Sequence, residues 1–347
     1  MFGIYLLFFV GTICLLVVGV KRNNSGQLVL LDKNDTNYLK GLATIGVFLA
    51  HACSLLEEMA KGGKALKVFS SMGGCGVLLF FFLGGYGIYK GYSEKKPSIN
   101  YWKNRIVNVL VPALMISLSL TLIIDIIGDF DTSFLKEIHN IILRQWYIDV
   151  VIIEYLVFYI CWSISKKNTK MIVPLSLALS LAVAFLFWVL GMDSRWYNGL
   201  FLFPIGMLLA KHEKKILELK TSIKIIIIIF SWISFFSLGY IFTFFKGLLF
   251  ADFLKTISGI SLAVAISMTF YFIKFGNKAV NWIGRRSLFF YLCHLYVIYF
   301  IKDIGLSLNI FINKGHQELW IYILVIMSII LSEFFYIICR LNQKIIS

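Results

Sequence analysis

Charge is the scarcest commodity in this chain of 347 residues: only 15% are Asp, Glu, Lys or Arg, against about 25% in soluble globular domains. A water-soluble globule is excluded. Proline is rare, with four residues, so nothing argues for a Pro-rich linker. The six cysteines (Cys14, Cys53, Cys75, Cys161, Cys293 and Cys339) all lie in or beside apolar segments, with no CxxC and no Cys/His ligand spacing. That leaves neither a disulfide framework nor a zinc or other metal site indicated. What is present is apolar: 59% of residues, a mean hydropathy of +0.85, and runs such as Ile225 to Ile229. A membrane β-barrel would instead alternate with period two, so the fold class is all-α, a polytopic helical bundle in a bilayer.

Stretches near the ~20 residues needed to cross the hydrocarbon core predict about eleven transmembrane helices: Phe2 to Val20, Leu39 to Leu56, Gly73 to Tyr89, Val107 to Ile127, Ile148 to Ile164, Met171 to Leu190, Tyr197 to Ala210, Ile223 to Phe245, Leu254 to Phe275, Leu288 to Ile301 and Trp320 to Cys339. The first lacks an N-terminal charge and is followed by Lys21-Arg22, the reverse of a secretory signal, so it reads as a retained helix. Lys and Arg total 33 against 18 Asp and Glu. With each cation assigned to its nearest loop, 23 fall on one side and 10 on the other, which predicts the N-terminus outside and the C-terminus in the cytoplasm. The basic excess therefore marks cytoplasmic loops rather than nucleic-acid binding, and the expected location is the plasma membrane.

Ionisable residues inside spans are costly and stand as functional candidates: His51, Glu154, His294 and Glu333, with Lys40, Asp125 and Asp149 at span ends. From Lys40 to His51 the helix rises about 16 Å and turns three times plus roughly 20°, so both lie on one stripe, a cation at the inner face and an imidazole near mid-membrane. His294 enters from the same side to similar depth. Two imidazoles without a Cys or carboxylate cluster favour proton transfer over metal binding. A snorkelling lysine and an interhelical hydrogen bond account for the same residues equally well. Tyr101-Trp102-Lys103-Asn104-Arg105 reads either as a topology signal beside anionic lipid or as a dock for a phosphate-bearing cofactor. Gly84-Gly85-Tyr86-Gly87 reads either as a close helix-packing face or as a place where backbone lines a cavity. Glu154 and Glu333 fit interhelical hydrogen bonds or the orientation of a histidine, and Asp193 with Arg195 lies at the outer boundary.

Six segments together resemble acyltransferase family 3, the membrane O-acyltransferases of bacterial surface sugars. Lys40-Gly41-Leu42-Ala43 running to His51 is similar to the family's R-x10-H opening, with Lys40 at the arginine. Gly76 to Tyr86 resembles its G-V-x-x-F-F-x-x-S-G-Y span, with Gly84 for serine. Lys103 to Pro112 resembles its R-x-x-R stretch, with Asn108 for the second arginine. Gln145-Trp146-Tyr147, Phe203-Pro204-Ile205-Gly206 and Ile283-Gly284-Arg285-Arg286-Ser287 to His294 complete the set.

The resemblance covers residue 34 to the end. It implies a ten-helix membrane acyltransferase core over 34–347, with 1–33 an additional N-terminal helix and loop. It also implies a cytoplasmic acyl-CoA donor, most often acetyl-CoA, as substrate with no permanently bound cofactor, and a saccharide or lipid-linked saccharide hydroxyl as acceptor. In that reading Lys40, Lys103 and Arg105 bind the CoA phosphates and His51 is the catalytic base or acyl carrier, with His294 the second candidate and Glu333 a further one. A lipid-linked sugar flippase or polymerase shares the composition and the basic inner loops, and stands as the alternative.

Overall fold

The computed structural model describes residues 18–23, 29–60, 69–95, 98–128, 146–165, 168–245, 249–307 and 317–346. Most of the predicted first span, together with the loops 61–68 and 129–145, lies outside them. The described chain is helical: α1 (Lys33–Ala60), α2 (Met72–Tyr92), α3 (Ile99–Arg105), which runs through one wide turn at Ile106–Leu110 into α4 (Val111–Gly128), α5 (Trp146–Ile164), α6 (Thr169–Val189), the single turn α7 (Arg195–Asn198), α8 (Leu202–Glu218), α9 (Thr221–Phe244), α10 (Leu249–Phe272), the short α11 (Lys278–Arg285), α12 (Ser287–Ser307) and α13 (Gln317–Ile346). A two-residue antiparallel pair joins β1 (Lys21–Arg22) to β2 (Ile273–Lys274).

Seven of these helical segments are long and apolar enough to cross a bilayer, and Ser287–Phe300 of α12 is a shorter apolar one. The protein is thus a multi-pass helical membrane protein. The predicted seventh span is corrected: Tyr197 to Ala210 does not form one helix. A turn at Arg195–Asn198 is followed by α8, which continues past the apolar stretch to Glu218. The extension is held by Glu213, whose buried carboxylate accepts from the Leu30 backbone N–H at 2.6 Å, from the Lys90 ammonium at 2.8 Å and from the Tyr86 hydroxyl. The ammonium neutralises the carboxylate and the two neutral donors complete its hydrogen bonds, where losing the partner of a buried charge costs about 3–5 kcal/mol. They also tie α2, α8 and the segment before α1 together.

The bundle is centred on α2, whose Phe80, Phe81, Phe82, Leu83 and Tyr86 are all buried in the largest apolar cluster. Lipid offers no hydrophobic gain for helix association, so close backbone approach at small residues has to supply the packing. Where α2 crosses α8, a Cβ on Gly85 would collide with the Phe203 carbonyl and one on Gly206 with the Phe82 carbonyl. Where α1 crosses α11, Gly41 abuts the Val280 carbonyl and Gly284 the Asn37 carbonyl. At the outer surface of the bundle α9 turns its apolar residues outward, Phe230 being 70% exposed, as befits a lipid-facing helix.

Two end motifs aim the site-bearing segments. At the start of α1, Asp32 and Asp35 cap each other's backbone N–H groups (2.8 and 3.0 Å), a carboxylate form of the reciprocal capping box. At the end of α6, Gly191 adopts φ +67°, the Met192 N–H bonds the Phe187 carbonyl and the Gly191 N–H the Trp188 carbonyl, each at 3.0 Å. This left-handed stop turns the chain back so that Arg195 and Asn198 face the bundle.

Candidate active site

His51 is exposed, but to a cavity: about 480 Å³ lined by Ala50, Ser54, Gly73, Gly74, Leu78, Phe81, Trp146, Arg195, Asn198, Lys255, Tyr291 and Tyr296 among others. This cavity opens at the end of the bundle where α2 and α7 begin. His294 is 1% exposed, and its ring centroid stands 5.4 Å from that of His51. Its Nδ1 lies 2.6 Å from the Tyr291 carbonyl and 3.2 Å from that of Phe290. A carbonyl only accepts, so Nδ1 carries the proton, and in the neutral ring Nε2 is left with its lone pair. That Nε2 is buried and has no hydrogen-bond partner among the described residues, and the same holds for the Tyr296 hydroxyl at the cavity wall. Buried polar atoms without partners are uncommon, and each calls for an explanation.

A second cavity of about 470 Å³ opens at the opposite end, where α1 begins. Among the described residues its lining carries five cations (Lys33, Lys40, Arg105, Arg285 and Arg340) and no carboxylate. Arg105 is seated over the Tyr92, Tyr101 and Tyr155 rings, 5.0 to 5.4 Å from their centroids, an aromatic cradle that fixes the guanidinium without neutralising it. Lys103 lies outside this lining and is exposed. Two residues from Arg105 it is rotated by about 200° on the helix, so the two cannot share a face.

The cavities abut at an aromatic partition. Tyr291 lines both, Trp146 lines one and its neighbour Tyr147 the other, and Phe81 and Phe80 divide in the same way. Tyr147 and Tyr291 stand 4.8 Å apart, and Tyr291 is 5.6 Å from the His294 ring. The stripe predicted on α1 thus runs through the wall, with Lys40 on the basic side and His51 on the other.

Glu333, Glu154 and Asp193 have structural partners, whereas the buried Oδ2 of Asp149 has no hydrogen-bond partner among the described residues and the Asp125 side chain lies outside them. The Glu333 carboxylate binds the Arg286 guanidinium through both oxygens, one contact at 2.8 Å, and Arg286 is itself held over the Trp282 and Tyr336 rings. Glu333 therefore joins α13 to the start of α12 and is committed to a cation rather than to either imidazole. Glu154, fully buried, accepts from the Ser180 hydroxyl at 3.0 and 3.2 Å, an α5–α6 tie. Asp193 is held by Arg195, first through its backbone N–H and then through the guanidinium, which keeps the carboxyl below its ordinary pKa. Sequence patterning assigns no role to Tyr147, Tyr291, Arg285, Arg340 or Lys255. The first four lie within the motif segments or the basic tail. Lys255 lies in none.

The helical bundle thus carries a cationic cavity at one end and a histidine-bearing one at the other, with Tyr291 in the lining of both. A family model described as an acyltransferase domain matches residues 34–337, and the chain belongs to that family, acyltransferase family 3. It is a membrane acyltransferase. No curated protein and no solved structure matches the chain.

Proposed function

We propose that the protein moves an acyl group, acetyl in the first instance, from cytoplasmic acyl-CoA to a hydroxyl of a cell-surface or lipid-linked saccharide at the opposite face of the plasma membrane. The observation that carries this reading is the pair of cavities meeting at Tyr291, one with five cations and the other with His51. Lys40 and Arg105, with Arg285 and Arg340, bind the CoA phosphates through charge-assisted contacts. Lys103 stands further off as a long-range attractant. The pantetheine arm passes the partition beside Tyr147 and Tyr291 and brings the thioester to His51.

There His51 takes the proton of the acceptor hydroxyl as its oxygen attacks the thioester carbonyl, the C–S bond breaks and CoA leaves as the thiol. Alternatively the imidazole accepts the acyl group first and passes it on. His294 supports either course, since its Nε2 lone pair is free to hold an N–H of His51 or to receive a proton from it. Glu333 acts at one remove, by holding Arg286 at the start of the helix that carries His294.

The test is thioester consumption: purified protein with acetyl-CoA and a saccharide acceptor releases CoA, and protein that never does so contradicts the proposal. Arg105→Ala is expected to raise the dissociation constant for acyl-CoA about ten- to a hundredfold, since one charge-assisted contact contributes about 1.5–3 kcal/mol. The loss shrinks at high salt. Unchanged donor affinity assigns Arg105 to packing. The proposed orientation is checked with an impermeant thiol reagent: a cysteine at Asn168 labels only from the cytoplasm and one at Met192 only from outside, and the reverse pattern inverts the topology.

A further inference from the structure

We propose that the His51 cavity contains an anion subsite built on Lys255 with Arg195, and that the acceptor therefore carries a phosphate or carboxylate. This rests on the acyl-transfer reading above and narrows its acceptor class. Lys255 lies near the start of α10, half-buried, and lines the cavity. On the same helix Phe250 and Phe253 are 52% and 60% exposed and mark the outward face. Lys255 is two residues beyond Phe253, about 200° round the helix, so it points into the bundle and does not snorkel along the lipid boundary.

Among the described residues Lys255 has no hydrogen-bond or ion-pair partner. The natural neutraliser would be Asp252, one turn earlier. That carboxylate is instead turned to the Asn198 side-chain amide at 2.8 Å and the Tyr197 hydroxyl at 3.5 Å. Arg195 lines the same cavity and gives its Nε to Asp193 at 2.9 Å. Among the described residues no carboxylate lines the cavity; Asp193, paired directly with Arg195, acts on Lys255 only through space, so two cations against one carboxylate leave a net positive charge beside an apolar wall of Leu78, Phe81 and Trp146. A desolvated cation without a partner is unfavourable, and an anionic group on the ligand removes that penalty. A neutral sugar does not.

The experiment uses the full chain in detergent, with a cysteine at Ser54 beside His51 and its maleimide labelling followed at that peptide by mass spectrometry. The probes are glucose, glucuronate and glucose 6-phosphate at equal concentration. The two anions are expected to slow labelling at least tenfold more effectively than glucose. Lys255→Gln removes the difference and Lys255→Arg keeps most of it. Protection by glucose 6-phosphate alone identifies a phosphate-bearing acceptor, and protection by both anions extends the class to acidic sugars. Equal protection by all three probes, or an anion preference that survives in Lys255→Gln, overturns the subsite. Because no donor is present, failure here leaves acyl transfer standing, whereas protein that binds the anions but never releases CoA from acetyl-CoA contradicts the transfer reading alone.

Discussion

Replacing His51 by Gln is expected to lower acyl transfer by at least about 100-fold, the lower range for loss of a positioned general base, while leaving insertion and folding intact. Glutamine retains much of the volume and some hydrogen-bonding capacity, but it takes up no proton near neutral pH and carries no acyl group. Because His51 faces a cavity rather than packed side chains, the exchange creates no void in the core. Transfer within tenfold of wild type, in folded protein present at equal amount, would return His51 to a packing role. His294→Gln separates its function from that of His51. The side-chain amide N–H of Gln can still bond the Tyr291 carbonyl, but its oxygen does not reproduce the basic Nε2 that stands near His51. An equal loss makes the two imidazoles a coupled pair; a small one makes His294 an orienting residue.

Along α2, Gly85→Ala, and likewise Gly206→Ala on α8, is expected to abolish or strongly lower the recovery of folded protein, while Gly87→Ala and Gly91→Ala leave it unchanged or slightly improved. A methyl at Gly85 or Gly206 runs into a backbone carbonyl of the facing helix, and backbone cannot rotate aside as a side chain does. Overpacking costs of about 1–3 kcal/mol are usual, with larger ones where the obstacle is rigid. At Gly87 and Gly91 nothing lies within 4 Å of the added atom, and Ala is the better helix former by about 1 kcal/mol. Thermal unfolding of the four variants in one detergent checks the contrast. Equal melting temperatures would mean that α2 and α8 do not cross at these glycines.

Helical periodicity makes the α1 stripe legible in the sequence alone, because the angle between Lys40 and His51 depends only on the helix that contains them. Long apolar stretches likewise define most spans. Partnerships between elements are not legible. Glu333 meets Arg286 across 47 positions, a pairing no local pattern encodes, so a carboxylate that looks open to a histidine is in fact occupied. The glycines of α2 announce a close approach, but their partner, the Phe203 to Gly206 segment of α8, emerges only from the crossing. Lys103 and Arg105 look like one basic patch when read along the chain, and the 200° between them separates the two. Lys255 escapes notice because a lone lysine at the edge of an apolar run reads as a topology signal. Its inward direction is set by how α10 packs. Tyr147 and Tyr291 are two aromatic residues among many in aromatic-rich helices, and only the cavities on either side give them a position.

The central claim is that donor and acceptor meet from opposite sides of the membrane, and vesicles with an impermeant donor outside and an impermeant acceptor trapped inside test it most directly. With the protein reconstituted and acetyl-labelled acetyl-CoA added externally, the account predicts label on the enclosed saccharide, abolished by His51→Gln, from the molecules whose basic cavity faces outward. Label that appears only when donor and acceptor share one compartment would contradict it.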